Sequence, residues 1–321
     1  MPGSDQKINY QVRPAKSVER RMLCDLVRKI QLVEGCSELR YIGLGAKYFT
    51  DFLLLHNEFA ISDMISIEAE KERQIRYEFN KPLKCIEMRY GSTNEILPQI
   101  TDFDKKCNLV WLDYDDAFKQ EMMTDIETLC RNLEIGSMFF VSCNYSYRGE
   151  VPSEKRESFK DSVGEYFNEN MDQKWFAAKK IPLVIREIIN NLIKEVLDKR
   201  NRLLGMEKYK YLQLLFLTYK DGAPMLTIGG IIVDEALQEV LESSDMFNQY
   251  VFLSRDDQRF NIDVPKLTNK EIQLILKKIP VTKEEYESKV DEFFGIEFDE
   301  IEKFEKIYRY YPYYSEGYFA T

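Results

Sequence analysis

Short apolar runs alternate with amphipathic stretches over the first two thirds of the chain. From Val18 to Ile30, apolar residues recur at spacings of three and four, which predicts a helix that Ser17 caps and that ends before Gly35. Apolar runs that stop at small or polar residues follow, and such runs are typical of buried parallel strands. The predicted strands are 39–45, 61–70, 84–92, 106–116 and 137–143.

Helical patterns lie between these strands, at 50–59, 71–80 and 119–133. Strands that alternate with helices form a parallel sheet covered on both faces, because each connection between parallel strands must cross over the sheet. The sequence therefore predicts an α/β fold with a doubly wound, Rossmann-like sheet.

The remaining third of the chain departs from this alternation. Residues 149–180 are rich in charge and predict an insertion or lid, and a long amphipathic helix follows between Pro182 and Gly205. Two strand-like runs in 211–233 are too close together for a crossover helix, so they predict an antiparallel hairpin. The domains expected are an N-terminal arm and helix (1–35), a central domain (36–235) and a mainly helical accessory segment (236–321).

Composition narrows the classes of function. The 321 residues carry 45 Lys plus Arg and 55 Asp plus Glu, a net charge of −10, which argues against nucleic-acid binding through overall charge. No apolar stretch approaches the roughly 18 residues of a membrane span or forms a signal peptide, so we expect a cytoplasmic protein without a membrane partner. The single histidine, His56, makes a histidine triad or a multi-histidine metal site hard to build. Six cysteines without a CxxC pair are expected to be reduced.

Two features near the first strands indicate a ligand. Gly43-Leu44-Gly45 ends the first strand, where glycines let the backbone turn sharply and approach a ligand. Glu68 ends the second strand, and a carboxylate there can accept hydrogen bonds from both hydroxyls of a ribose. A dinucleotide fingerprint would need a third glycine where Tyr48 stands, which disfavours an NAD-linked oxidoreductase.

Alternatives remain for each of these loops. The glycines also suit an ordinary turn between strand and helix, and Glu70 is the candidate acid if the strand register differs by two. Gly91-Ser92 follows the third strand and suits either a second ligand contact or a routine turn with a helix cap.

Acidic residues cluster at the end of the fourth strand, in Asp113-Tyr114-Asp115-Asp116. The carboxyl ends of parallel strands line the crevice in which such folds bind ligands. Neighbouring carboxylates repel one another, so a cation or hydrogen-bond donors must hold them ionised. This cluster is therefore the best local candidate for a reaction site.

A five-stranded parallel sheet with a late antiparallel hairpin and these loops resembles the class I S-adenosylmethionine-dependent methyltransferases, in particular bacterial O-methyltransferase-like proteins. The resemblance covers roughly residues 17–235. It implies S-adenosylmethionine as cofactor, whose positive sulfonium suits the acidic cluster. It further implies that the cofactor is bound by Gly43, Leu44, Gly45, Glu68, Ala69, Gly91, Ser92 and Asp113, that methyl transfer occurs at Asp113 and Tyr114, and that Arg13, Lys16, Asn144 and Tyr145 bind the acceptor.

The chain departs from the family pattern at several positions. Tyr41 stands where the family usually has an acid, and the absence of an Asn-Pro-Pro-Tyr motif argues against N-methylation of adenine or cytosine. Relatives that hold magnesium have an Asp-Asn pair after the fifth strand, whereas this chain has Cys143-Asn144, so we expect no metal. Lys16 and Asp113 fit the first half of the Lys-Asp-Lys-Glu arrangement of RNA 2′-O-methyltransferases.

The leading hypothesis is an S-adenosylmethionine-dependent methyltransferase that acts on oxygen. Its acceptor, a small molecule, a protein or an RNA, is not identified by any motif. The alternative is a non-catalytic cofactor-binding or assembly protein, such as a component of a bacterial defence system. In either case residues 236–321 are the candidate surface for a protein partner or a second copy of the chain.

Overall fold

Eight strands form one sheet in the computed structural model, which describes residues 13–34 and 38–312. The strands are β1 (Leu39–Gly43), β2 (Asp63–Glu68), β3 (Ile86–Tyr90), β4 (Cys107–Ala117), β5 (Met138–Asn144), β6 (Lys210–Lys220), β7 (Pro224–Val233) and β8 (Phe260–Ile262). Their spatial order is β3-β2-β1-β4-β5-β7-β6-β8. Strands β1 to β5 are parallel, and β7 runs antiparallel to both β5 and β6. The predicted α/β sheet with a late antiparallel hairpin is confirmed.

Helices cover both faces of this sheet. Those of the described residues are α1 (Pro14–Glu34), α2 (Thr50–Phe59), α3 (Gln74–Asn80), α4 (Thr93–Ile96), α5 (Gln120–Asn132), α6 (Pro152–Val163), α7 (Ile181–Leu204), α8 (Glu235–Ser243), α9 (Met246–Gln249), α10 (Asn269–Leu276), α11 (Lys283–Ser288) and α12 (Phe298–Ile307). Pro182 lies in the first turn of α7, and Gly205 closes that helix with a φ of 67°, as expected from the sequence.

Alternate residues of the central strands face two separate cores. Tyr41 and Trp111 face the core that contains α1, α2 and the helices of the C-terminal segment. Ile42 and Leu112 face the core that contains α5 and α7. The period of two along each strand therefore decides which helices a side chain can reach.

The start of α1 differs from the prediction. The helix begins at Pro14 and Ser17 lies inside it, because the cap comes from a distant residue. The carboxylate of Asp221, in the turn between β6 and β7, accepts hydrogen bonds from the backbone of Ala15 (3.0 Å) and Lys16 (2.9 Å). Pro14 has no N–H that would need a partner. The last residue of α1 is Glu34, and Gly35, before which the sequence predicts the end of the helix, lies outside the described residues.

The two segments expected to be accessory are packed on the sheet. Within 149–180, the side chains of Phe159, Val163 and Phe176 are fully buried in the core on the α7 side. The C-terminal segment contributes β8, which pairs with β6 at the edge of the sheet. A strand of three residues is too short to leave a periodic pattern in the sequence, so the prediction of a mainly helical segment did not include it.

Cysteine pairing differs from the expectation at one position. Cys107 is disulfide-bonded, whereas Cys24, Cys85, Cys130 and Cys143 are free. Sequence spacing carries no information about which thiols the fold brings together, so the prediction of six reduced cysteines is wrong for Cys107. Within 13–34 and 38–312, no helix combines the length and apolar character that crossing a bilayer requires.

Candidate functional site

The predicted site residues lie along one edge of the sheet. Because β1, β2, β4 and β5 are parallel, their carboxyl ends meet at this edge. Gly43 is level with Ser66 on β2, and Asp113 is level with Ser142 on β5. The glycine loop, Glu68 and the acidic cluster are therefore brought together, as expected for a ligand crevice of this fold.

The two glycines of the β1–α2 loop are required by the packing of the protein itself. A Cβ on Gly43 would collide with the hydroxyl of Tyr41. A Cβ on Gly45 would lie 2.6 Å from the Phe49 ring and 2.7 Å from Ser66 Oγ. Gly45 N also donates to Ser66 Oγ (3.2 Å). This loop is thus tightly fitted and not an open turn.

The residues after Gly45 adopt a strained backbone that points an amide at Glu68. Ala46 and Phe49 have φ values of 47° and 48°, in the left-handed region that non-glycine residues rarely occupy. Ala46 N donates to Glu68 Oε1 at 2.6 Å, and Ser66 Oγ donates to the same oxygen at 3.2 Å. Glu68 is therefore fixed beside the loop. Leu44 is half-buried in the loop.

The end of β3 lies next to Glu68. Gly91 N donates to the carbonyl oxygen of Glu68 (3.0 Å), and Gly91 is buried. Ser92 is exposed at the start of α4, where its backbone N–H donates to Glu95 Oε2 (2.9 Å). The helix cap suggested by the sequence is present, and it leaves Ser92 on the same edge as Glu68. Ala69 is exposed between them.

A buried lysine holds the first acid of the cluster. Lys16 Nζ lies 2.7 Å from Asp113 Oδ1 and 2.7 Å from Glu19 Oε2, and the Lys16 side chain is 0% exposed. The ammonium also lies 4.2 Å from the centroid of the Trp111 ring. The cation that the acidic cluster requires is therefore supplied by α1.

The two carboxylates beside Lys16 respond differently to burial. Burial would raise the pKa of Asp113, but the charge and hydrogen bond of Lys16 outweigh it and the pKa is lowered. For Glu19, burial outweighs the opposing effect of Lys16 and raises the pKa. Asp113 is thus the acid that stays ionised.

Hydroxyl groups connect this ion pair to three strands. Thr227 on β7 donates to Glu19 Oε1 and lies 2.6 Å from Ser142 Oγ on β5. Trp111 Nε1 on β4 donates to Ser142 Oγ at 2.9 Å. The position of α1 over the sheet is therefore set by polar contacts as well as by apolar packing.

Arg20 of α1 and Arg13, the residue before this helix, each form an ion pair with an acid. Arg20 Nε lies 2.5 Å from Asp51 Oδ1, in the first turn of α2. Arg13 Nε lies 3.9 Å from Asp221 Oδ2, and its side chain is 10% exposed. Arg13 and Lys16, predicted to bind the acceptor, are thus mostly or fully covered.

Tyr114 is directed away from Asp113. Its hydroxyl donates to Asp125 Oδ2 on α5 at 2.5 Å. Thr93 also donates to this carboxylate, and Asn94 Nδ2 donates to Asp125 Oδ1 at 2.6 Å. Burial raises the pKa of Tyr114, and the Asp125 carboxylate raises it further. Burial also raises the pKa of Asp125, against the effect of its three donors.

The end of β5 lies beside this edge. Asn144 Oδ1 accepts from Ser146 N at 2.6 Å, and Tyr145 N donates to the carbonyl of Pro224 at 3.2 Å. Both side chains are half-buried. His56 lies elsewhere, near the end of α2, where its Nδ1 is 2.9 Å from the Ile61 carbonyl.

Sequence analysis missed several residues of the site. Glu19 could have been found, because it lies three residues after Lys16 on the same helix face. Thr227, Ser142 and Asp221 leave no such signal, since their strands and turn are far from α1 along the chain. In the part of the chain that the structure describes, no three His, Cys, Asp or Glu residues are grouped so that they could hold a metal ion.

Comparison with known structures gives distant matches. One is the "putative O-methyltransferase from Klebsiella pneumoniae", with 13% identity, a TM-score of 0.36, and 71% of this chain matched to 93% of that chain. Another is LepI in complex with SAH and a substrate analogue, with 10% identity, a TM-score of 0.33, and 60% of this chain matched to 43% of that chain. Human N-acetylserotonin methyltransferase in complex with SAM has 8% identity, a TM-score of 0.32, and 64% of this chain matched to 51% of that chain. The chain thus spans about half the length of several of these proteins.

Comparison of sequences identifies the family. No curated protein matches the chain. A family model described as "Putative O-methyltransferase" matches residues 8–319, which is nearly the whole chain. S-adenosylmethionine, the cofactor expected from the sequence, is present in the structure of human N-acetylserotonin methyltransferase, and SAH is present in that of LepI. The chain belongs to this O-methyltransferase family, and the resemblance to O-methyltransferases expected from its sequence is confirmed.

Proposed function

We propose that this protein transfers the methyl group of S-adenosylmethionine to a hydroxyl oxygen of its acceptor. The family description supports the choice of oxygen. The observation that carries the proposal is the buried ion pair between Lys16 and Asp113 at the end of β4, next to the glycine loop. It combines a fixed positive charge with a carboxylate at the edge where this fold binds ligands.

The described residues suit the cofactor in a definite order along the sheet edge. Gly91 and Ser92 at the end of β3 would hold the adenine, with Ala69 beside them. Glu68 at the end of β2 would accept hydrogen bonds from the ribose hydroxyls. The loop Gly43-Leu44-Gly45 would then carry the rest of the cofactor toward Asp113. In support, Glu68 is already fixed by the amide of Ala46.

At the reacting end, the protein would act by position and charge. When bound, S-adenosylmethionine supplies a methyl group on a cationic sulfur, and transfer of that group requires alignment more than acid–base catalysis. Asp113 would orient the acceptor hydroxyl by accepting its hydrogen bond. The proton that the hydroxyl loses would pass to Asp113, and Lys16, which is fully covered, would act through Asp113 by keeping that carboxylate ionised beforehand. The ring of Tyr114 would form a wall of the site, because its hydroxyl is held by Asp125.

The acceptor would lie over the ends of β4 and β5. Asn144 and Tyr145 would contact it there, and Arg13 would reach it from the start of α1. Its class, a small molecule, a protein or an RNA, is not restricted by these residues. Residues 236–321 remain the proposed surface for a protein partner or a second copy.

Isothermal titration with S-adenosylhomocysteine tests the cofactor site. We expect the wild type to bind and Glu68→Gln to bind about tenfold more weakly, because an amide makes weaker hydrogen bonds to the ribose than a carboxylate does. Glu70→Gln is the matched control: Glu70 lies two residues on and pairs with Arg73 at 2.9 Å, so its variant should bind like the wild type. Equal loss in both variants would contradict this assignment.

Methyl transfer is tested separately with labelled S-adenosylmethionine and a panel of hydroxyl and amine acceptors. We expect label on hydroxyl acceptors only. Asp113→Asn should retain binding of S-adenosylhomocysteine and lose most of the transfer rate. Labelled amines, or an unchanged rate in Asp113→Asn, would refute the proposed role of this edge. Binding without transfer to any acceptor would favour the alternative of a non-catalytic cofactor-binding protein.

A further inference from the structure

A groove between α5 and α7 combines apolar and positively charged residues. Its volume is about 560 Å³, and four of the six described residues that line it are cations. The six are Arg131 of α5 and Val196, Lys199, Arg200, Arg202 and Leu203 of α7. Leu203 is 90% exposed, and Leu204 and Met206 beside it are exposed as well. Clusters of exposed apolar residues commonly mark interaction sites.

This basic groove is positive, although the chain as a whole has a net charge of −10. Three of its cations form ion pairs with neighbouring acids. The pairs are Arg131–Glu127, Lys199–Glu195 (2.6 Å) and Arg200–Glu134 (2.6 Å). Arg202, in the last turn of α7, adds a further positive charge, and Lys208 shares Glu134 with Arg200. The groove therefore favours a partner that offers an apolar group together with negative charge.

The C-terminal segment has a surface of this kind. Residues 283–297, which we call the acidic tip, contain six acids and two lysines. Asp291 and Glu292 of the tip are exposed. Phe294 follows them and is 81% exposed. The tip thus presents an aromatic side chain beside negative charge.

The backbone of the tip separates two consecutive phenylalanines. Phe293 is buried, and its ring packs against Tyr286 with centroids 5.0 Å apart. Phe294 has a φ of 53° and Gly295 a φ of 86°, so two successive left-handed residues turn the chain at this point. One phenylalanine therefore anchors the tip in the core, and the other faces solvent.

The groove and the tip lie on opposite faces of the sheet. Val196 of the groove belongs to the core that contains α5 and α7. Phe293 of the tip belongs to the core that contains α1 and α2. Because the sheet lies between these two cores, one copy of the chain cannot place its own tip in its own groove. A second copy can supply the tip.

We infer that the basic groove of one copy binds the acidic tip of a second copy, with the Phe294 ring in the groove and Arg202 beside Asp291. This narrows the proposed partner surface, residues 236–321, to one tip, and it does not depend on methyl transfer. Two different surfaces meet, so the contact is heterologous and builds a ring or a filament.

Such a contact leaves the reaction edge open. The groove lies toward the end of α7 that leads into β6 at Lys210, and Lys210 is level with Val233 on β7. Asn144 at the reaction edge is level with Met225, at the other end of β7. Neighbouring copies would therefore be joined away from Asp113.

Sedimentation velocity of the full chain over about 1 µM to 1 mM tests the inference. We expect the wild type to self-associate. Phe294→Ser and Leu203→Ser should each raise the dissociation constant at least about tenfold, because an apolar anchor carries much of the binding energy of a contact. Phe79→Ser is the matched control: Phe79 on α3 is 87% exposed but lies outside both surfaces, so its variant should associate like the wild type. Circular dichroism checks that each variant is folded.

A charge reversal tests whether the two surfaces meet each other. Arg202→Glu and Asp291→Lys should each weaken self-association, because each places like charges on both sides of the contact. A mixture of these two variants should associate again. In the mixture the altered groove of one variant meets the altered tip of the other, and their unaltered surfaces also match.

Three kinds of result would overturn the inference. The first is a wild type that stays monomeric up to about 1 mM. The second is unchanged association in Phe294→Ser, Leu203→Ser or either charge variant, or an equal loss in Phe79→Ser. The third is a mixture that does not recover, which would show that groove and tip do not contact each other. Association is measured without cofactor or acceptor, so its failure is distinct from failure of the proposed function.

Discussion

Asp113 and Tyr114 are neighbours on β4, yet they belong to two different environments. Asp113 faces α1, where each of the acids Asp113, Glu19 and Asp51 is paired with a cation. Tyr114 faces α5, where Asp125 receives hydrogen bonds from two hydroxyls and an amide. On the α1 side, buried carboxylates are therefore paired with cations. On the α5 side, the Asp125 carboxylate accepts hydrogen bonds from neutral groups.

This difference decides what each side can do in a reaction. The pKa of Asp113 is lowered although burial opposes the charged form, whereas burial raises the pKa of Asp125. The groups of a buried ion pair stay charged and can act on a substrate. Removal of one partner, however, leaves the other charge buried and unpaired, which strongly destabilises the protein. Hydrogen bonds from neutral donors fix the positions of side chains but exert only a weak electrostatic effect on a substrate. The α1 side is thus suited to the reacting end of the site, and the α5 side to its walls.

The largest effect is expected from removal of the shared cation. Lys16→Met leaves Asp113 and Glu19 buried without their partner, which should lower the free energy of unfolding by about 3–5 kcal/mol. Urea denaturation measures this change. Lys119→Met is the control, since Lys119 pairs with the exposed Asp116 at 2.8 Å and its loss should be nearly neutral. A loss below about 1 kcal/mol for Lys16→Met would mean that charge pairing does not hold the α1 side together.

A smaller effect is expected on the neutral side. The Asp125 carboxylate accepts hydrogen bonds from three donors, whereas the amide in Asp125→Asn has only one oxygen that can accept them. The free energy of unfolding should therefore fall by about 1–3 kcal/mol. The same denaturation series measures it. If Asp125→Asn costs as much as Lys16→Met, the distinction between the two sides is wrong.

The two sides should also differ in how stability depends on pH. A lowered pKa means that Asp113 contributes stability above its unfolded pKa and loses it as the pH falls through its folded pKa. A raised pKa means that Asp125 contributes stability at low pH and loses it as the pH rises through its folded pKa. The free-energy difference between wild type and Asp113→Asn should therefore grow as the pH rises through the acid range, and that between wild type and Asp125→Asn should shrink. Slopes of the same sign would contradict the assignment.

The smallest effect is expected outside both environments. Asp116 belongs to the same acidic cluster, but its side chain is 70% exposed. Asp116→Asn should change the free energy of unfolding by no more than about 0.5 kcal/mol, because exposed ion pairs are screened by water. A larger loss in thermal denaturation would show that the cluster acts as a unit.

The sequence predicted the order of strands and helices well, because buried parallel strands and amphipathic helices have strong periodic patterns. It also placed Gly43, Glu68 and Asp113 at one edge, since strand ends follow from topology. It could not predict that α1 starts at Pro14, because the cap is provided by Asp221, 206 positions after Ala15. Local rules find caps only within a few residues of the helix.

The chemistry at the edge was less predictable than its position. The sequence indicated that the acidic cluster needs a cation and grouped Lys16 with Asp113 through the Lys-Asp-Lys-Glu arrangement, but it could not show that Lys16 forms an ion pair with this acid. Nor could it show that the Tyr114 hydroxyl would be held by Asp125, because side-chain partners depend on how α4 and α5 pack. Such contacts arise from tertiary structure and leave no local pattern.

The anchoring of α1 has a consequence for how the protein is made. Its first turn is capped by Asp221, and its middle is held by Tyr311, whose carbonyl accepts from Arg21 at 3.2 Å, and by Tyr310, whose hydroxyl donates to Asp25 at 2.9 Å. Several partners of α1 therefore belong to the last third of the chain and are synthesised long after the helix itself. The setting of the Lys16–Asp113 pair is therefore complete only after the C-terminal part of the chain has been synthesised.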